Sequence, residues 1–123
     1  MIQKHTVSRD DSIYHAFPDL ALLPSDRLVC IFAECNHHND RSYTRVMLTD
    51  SDDRGITWSP KRALTDPLQF EDDQPDYYWN CPRITLLSDG RLVGLCDTPR
   101  RSRGDAEGNP VNWMWISPDE GQT

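Results

Sequence analysis

Residues 51–58 read Ser51-Asp52-Asp53-Arg54-Gly55-Ile56-Thr57-Trp58, and residues 117–123 read Ser117-Pro118-Asp119-Glu120-Gly121-Gln122-Thr123. The shared pattern is S-x-D-x-G-x-T, with Trp58 closing the first copy. Every letter has a reason within a turn. Gly55 supplies the positive φ that closes a tight hairpin. Ser51 and Asp53 accept backbone N–H bonds inside the turn, and Thr57 adds another bond. Trp58 is a large ring expected to pack between neighbouring units and to fix the turn against the core. Asp53 is therefore read as a turn former rather than as a catalytic carboxylate or a calcium ligand.

The repetition reaches upstream of both turns. Phe17-Pro18-Asp19-Leu20-Ala21-Leu22-Leu23-Pro24-Ser25-Asp26-Arg27-Leu28-Val29 matches Cys81-Pro82-Arg83-Ile84-Thr85-Leu86-Leu87-Ser88-Asp89-Gly90-Arg91-Leu92-Val93. Pro18 and Pro82 stand 64 residues apart, as do Arg27 and Arg91, while Ser51 and Ser117 stand 66 apart. A fixed period with slack only in the connections marks tandem supersecondary units that bury their faces on one another. The second copy stops one residue before its Trp position, which gives the expectation of a fragment of a longer repeat protein.

Within each unit, two apolar runs flank a turn, Pro24-Ser25-Asp26 in the first and Ser88-Asp89-Gly90 in the second, the signature of a hairpin. A third strand, about Thr44 to Thr49, leads into the first S-x-D turn, and Ile56 to Leu64 supplies a fourth. In the second unit the third strand is about Asn112 to Ile116, and the fourth is missing. No segment keeps a helical period. The predicted fold is all-β, a β-propeller represented by two four-stranded antiparallel blades packed face to face. Blade one covers about 14–66, and blade two, incomplete, about 78–123.

The turn pattern resembles the Asp-box, or bacterial neuraminidase repeat, and the proline-led strand followed by Asp89-Gly90-Arg91-Leu92-Val93 strengthens the likeness. It spans both units, nearly the whole chain. The resemblance implies a propeller of the sialidase (neuraminidase)-like superfamily, with its Asp-boxes on the face away from the active site. It further implies a glycoside hydrolase acting on a terminal sugar, although fold alone does not fix chemistry. Sialidases of this type place an Arg two residues before the inner-strand Pro; here those positions are Ala16 and Asn80. They also place an Arg after the second strand and an Asp acid/base beyond it, which Arg100 or Arg101 with Asp105 matches. Their Tyr nucleophile, paired with a Glu, would come from further blades.

Composition narrows the partners. A formal charge of −7 over 123 residues, without a lysine-rich stripe, argues against nucleic acid. Screening over about 8 Å still lets a local arginine cluster attract an anion. No apolar run of transmembrane length occurs, and Met1 to Val7 lacks the apolar region of a signal peptide, so no membrane association and a cytoplasmic location are expected. Cys30, Cys35, Cys81 and Cys96 form no C-x-x-C pair and are expected to be reduced. Cys35-x-His37-His38 lacks further ligands at metal-site spacing, so neither a metal nor another cofactor is expected. The expected partners are a carbohydrate and the remaining blades.

Chemistry in a propeller gathers where the loops converge at one end of the central channel. The windows reaching that end hold residues 11–19 and 34–41 in the first unit, and 77–83 and 97–105 in the second. Their acids, arginines, histidines and aromatics suit a sugar cleft. The candidate catalytic carboxylates are Asp19, Glu34, Asp97 and Asp105. The candidate substrate-binding residues are His37, His38, Arg83, Arg100, Arg101 and Trp79. Asp19 is singled out because a charge inside an inner strand is costly unless it faces the channel. Glu34 and Asp97 could equally be satisfied strand-end carboxylates, and Trp79, Trp113 and Trp115 divide between core and ligand stacking. Asp19 and Glu34 are expected to share one rim and to flank a sugar. A non-catalytic propeller binding carbohydrate or protein on the same face stands beside the hydrolase as the second reading.

Overall fold

The computed structural model describes residues 1–70, 77–100 and 110–123. Among them there is no helix; eight strands form two antiparallel sheets. The first sheet contains β1 (Tyr14–Leu22), β2 (Leu28–His37), β3 (Asp40–Ser51), β4 (Arg62–Ala63) and β5 (Leu68–Gln69). The second contains β6 (Arg83–Leu86), β7 (Leu92–Thr98) and β8 (Val111–Ser117), in that order.

The two hairpins form where the sequence predicts them. Asp26, at φ 66°, and Gly90, at φ 88°, take the left-handed conformation that closes the β1–β2 and β6–β7 connections. The third strand is longer than predicted, running from Asp40 to Ser51. The predicted fourth strand is instead broken into two short pieces. β4 pairs with Met47 and Leu48, and β5 pairs with Tyr43 and Thr44. Pro60 and Pro67 account for the break, because proline has no N–H to give to a ladder. The second sheet has three strands, as expected.

Strand parity decides which residues meet between the sheets. Val29, Ile31, Val46 and Leu48 on one face of the first sheet join Trp79, Ile84, Leu92 and Cys96 of the second in a single core. Gly94 lies at the contact between the sheets, where a Cβ would meet Ile31 Cδ1 at an ordinary 3.6 Å. The opposite face of the first sheet carries a second cluster of Cys30, Phe32 and Met47 with Trp58 against it. Trp58 thus packs on the face away from the second sheet, and its indole N–H donates to the Gly55 carbonyl over 3.1 Å.

The two S-x-D turns reproduce one another bond for bond. Ser51 Oγ donates to Asp53 Oδ1 at 2.8 Å and accepts the Gly55 N–H at 2.8 Å; Ser117 does the same with Asp119 at 2.7 Å and Gly121 at 2.8 Å. Thr57 donates its N–H and hydroxyl to the two Asp53 oxygens at 2.8 and 2.5 Å, and Thr123 to those of Asp119 at 2.8 and 2.6 Å. The Thr hydroxyls, with the Thr N–H and Ser bonds, hold both Asp carboxyls down to about 2 from an ordinary 3.8. A depressed folded pKa stabilises the fold above the unfolded value, and that stability is lost as pH falls through the folded one. Acid titration should therefore weaken both turns between about pH 4 and pH 2. Circular dichroism of Asp53→Asn should show part of that acid sensitivity already removed.

A partly buried ion cluster joins the second turn to the first sheet. Asp50 is paired with Arg27, 3.1 Å away, and with Arg62. Burial pushes the Asp50 carboxyl up, but the two guanidinium groups outweigh it and hold the pKa below the ordinary value. The same arginines donate onward to the second turn, Arg27 to the Glu120 carbonyl and Arg62 to the Gly121 carbonyl, each at 2.8 Å. Arg27→Ala should leave Asp50 half-neutralised and cost about 1–3 kcal/mol, the scale for a partly buried charged hydrogen bond, read as a lower midpoint in urea.

Candidate functional site

Register places the two ends of the sheets unambiguously. Leu22, Leu28 and Ser51 align at one end of the first sheet, with Leu86, Leu92 and Ser117 at the matching end of the second. The Ser25 hydroxyl donates to Glu120 Oε2 at 2.7 Å, so both S-x-D turns lie on one edge. Tyr14, Cys35, His37, Asp97 and Thr98 lie at the other ends of their ladders. That second edge, the rim, holds His37, His38, Arg83 and Asp97 of the candidate residues.

A cation–aromatic group bridges the two sheets at the rim. The Arg41 guanidinium stands 5.0 Å from the Phe17 ring centre and 5.6 Å from that of Tyr78, and Nη1 donates to Cys35 Sγ over 3.2 Å. His38 lies 6.3 Å from Phe17 and 6.0 Å from Tyr14, and His37 lies 5.7 Å from Tyr14. Such contacts stabilise by about 0.5–2 kcal/mol each, depending on desolvation. Phe17 has φ 54°, and the β1–β2 register shifts between Ala16 and Asp19. A left-handed bulky residue is strained by about 1–3 kcal/mol. Here that bulge turns the ring onto Arg41.

Next to this group an open cleft of about 470 Å³ is lined by Cys81, Arg83, Leu95, Cys96, Asp97, Asn112 and Trp113. Asp97 accepts from Asn80 Nδ2 at 3.1 Å and from the Cys81 N–H at 3.3 Å. Burial and Asp97 raise the Cys81 thiol pKa, while Arg83 and Arg41 oppose them, so both guanidinium groups act on one spot. Burial pushes the thiols of Cys30 and Cys96 up to about 11 and about 12, and they are inert core groups. All four cysteines are free.

Several predicted site residues fall elsewhere. Asp19 does not stand open in a channel: its carboxylate accepts the Ile84 N–H at 2.9 Å and the Leu20 N–H at 3.0 Å, tying β1 to β6. Glu34 does not share a rim with Asp19. Its parity matches Phe32 and puts it on the opposite face, buried, with Oε2 accepting from Lys61 at 2.9 Å and Oε1 from the Tyr43 hydroxyl at 3.2 Å. Trp79 is a core residue rather than a ring offered to a ligand. It is 8% exposed, contacts Trp113 and Trp115, and donates both N–H groups, to Thr44 Oγ1 and to the Asp66 carbonyl. Arg100 lies over the Tyr77 ring at 5.4 Å. Arg101 and Asp105 lie outside the described residues. His37, His38, Arg83 and Asp97 are at the rim. Phe17, Arg41 and Asn112 join them; the first two lie within the sequence windows 11–19 and 34–41, and Asn112 lies outside all four windows.

No family model and no curated protein matches the sequence. Solved structures do. A protein of unknown function from Dyadobacter fermentans DSM 18053 aligns at 16% identity and TM-score 0.66, over 97% of this chain and 37% of that one. The Hadza microbial sialidase Hz136 aligns at 19% identity and TM-score 0.62, over 91% and 24%. The NanB sialidase from Streptococcus pneumoniae, in complex with 2-[(3-chlorobenzyl)ammonio]ethanesulfonate, aligns at 20% identity and TM-score 0.59, over 79% and 18%. The fold is sialidase-like. The chain spans well under half the length of each of these three structures. At such identities the likeness concerns fold, and the chemistry rests on this chain's own rim.

Proposed function

We propose that the two sheets are Asp-box blades of a sialidase-type β-propeller, and that the whole protein is a glycoside hydrolase acting on a terminal sugar of a glycan. The observation that carries this reading is the cleft where Arg83, Asp97, Asn112 and Trp113 converge beside the Phe17–Arg41–Tyr78 group, on the edge opposite both S-x-D turns. A carboxylate serves proton transfer, an arginine and an amide hold ring oxygens, and an exposed indole edge gives a sugar its apolar contact. Asp97 is the acid/base candidate on this face. Asp19 organises the contact between blades, and Glu34 supports the outer face of the first blade. Arg101 and Asp105 remain proposed members of the same loop. Arg83, His37, His38 and Arg100 are proposed sugar contacts.

The test is turnover of a panel of aryl glycosides by the full-length protein. Release of the aryl group from one glycoside class, lost in Arg83→Ala, supports the hydrolase. Binding of glycans without release from any member of the panel would favour the non-catalytic propeller, which the strained Phe17 platform would serve equally well as a stacking surface.

A further inference from the structure

On the outer face of the first sheet, the face away from the second, four titratable side chains come together, three of them on the ammonium group of the fourth. Lys61 Nζ lies 2.8 Å from Asp10 Oδ2, 2.9 Å from Glu34 Oε2 and 3.2 Å from His15 Nε2. They come from four places: the segment before β1, the start of β1, the middle of β2 and the approach to β4. Tyr43 on β3 bonds Glu34, and Arg45 on the same strand acts on Tyr43. The His15 ring packs on Phe32 with centres 4.8 Å apart, and is tied to the backbone of Ser8. Asp10 also accepts from the Ser12 N–H and hydroxyl, closing a turn at residues 10–12. Outside this cluster, residues 1–7 are exposed.

We propose that this cluster is an acid-released latch, holding residues 8–13 on the first sheet while His15 is neutral and letting them go when it takes a proton. An ammonium donates and cannot accept, so Nε2 must be the unprotonated nitrogen in the closed latch. A proton on Nε2 would place two cations 3.2 Å apart. It would also remove the acceptor that fixes the ring to Lys61. Lys61 cannot relieve the conflict by losing its own proton, because its bonds to Asp10 and Glu34 outweigh burial and raise its pKa. Asp10 stays ionised well below the ordinary carboxylate range, held chiefly by Lys61 and then by Ser12. His15 is the member whose ordinary pKa, 6.5, lies between neutral and mildly acidic pH. Burial first, and then Lys61, push its pKa below the ordinary 6.5, with Glu34 and Asp10 partly opposing them.

The sign follows from that direction. The closed state binds the proton less well than the open one, so the latch is at full strength above the ordinary histidine pKa. It weakens as pH falls from there toward the depressed value, by up to tenfold in its opening equilibrium per pH unit. The measurement is amide hydrogen exchange of residues 8–13 in the intact protein, corrected for intrinsic rates, at pH 7.5 and 5.5. The expected result is roughly tenfold faster opening at the lower pH, with the rim unaffected. His15→Gln, which keeps an acceptor for Lys61 but cannot be protonated, should hold the segment closed at both values. Lys61→Met should open it at both. Equal protection of the wild-type segment at the two pH values would overturn the latch, as would an unchanged pH response in His15→Gln. If that variant does not fold, the wild-type His15 ring titration decides: a midpoint at or above the ordinary 6.5 also overturns it.

Discussion

Replacing Trp79 with alanine in the intact protein should lower its stability by about 3–5 kcal/mol, the usual cost of deleting a buried large aromatic. The indole lies between the two sheets against Trp113 and Trp115, and its removal leaves a cavity that neither sheet can collapse into without breaking the Trp79 N–H bond to Thr44. It also strands the Asp66 carbonyl. Trp79→Phe keeps most of the ring and should cost about 1–2 kcal/mol, for the lost hydrogen bond and part of the volume. Thermal melting separates this from a ligand-stacking role, in which the alanine variant would melt normally and lose only sugar affinity.

The second large effect is expected at Asp97. Asp97→Asn should lower turnover of the responsive aryl glycoside by about a hundredfold or more, the scale for a general acid–base group. The amide still offers an oxygen to the Cys81 N–H, so folding should be little affected, and the melting temperature checks this. If Asp97→Asn turns over normally while Arg83→Ala loses binding, the cleft recognises the sugar and the proton transfer lies elsewhere. Glu34→Gln provides the contrast: by removing a charge from Lys61 it should weaken stability rather than the chemical step.

The parts of this fold that depend on local chemistry could be read directly from the chain. Ser51, Asp53, Gly55 and Thr57 each satisfy a neighbour within four residues, so their letters specify the turn, and the 64-residue spacing finds its partner. The site was less legible because it depends on parity across long strands. Glu34 sits where a rim residue would sit by position along β2, yet one residue of register sends its side chain to the far face. Trp79 carries a polar N–H that suits a ligand, but the Asp66 carbonyl that takes it is set only by packing. Lys61 had no local signal at all: its three partners are 27, 46 and 51 residues away in the sequence. Asp97 and Arg83 could be placed on the rim from the sequence because both stand near strand ends, where position along the strand is enough.

The bonds from Arg27 and Arg62 to the second turn set where the repeat tolerates change in length. Because those two side chains grip the carbonyls of Glu120 and Gly121, an insertion near the turn edge would pull the donors off their acceptors and unlink the second turn from the arginines that pair with Asp50. On the rim edge the units are bridged by the Arg41 guanidinium over the Phe17 and Tyr78 rings, with no charged bond to a turn carbonyl. The two edges therefore differ in what a change of loop length costs: one holds the spacing of the units through charged bonds, and the other through ring contacts that can shift. A rim loop can therefore change its length at a lower cost to how one unit sits on the next.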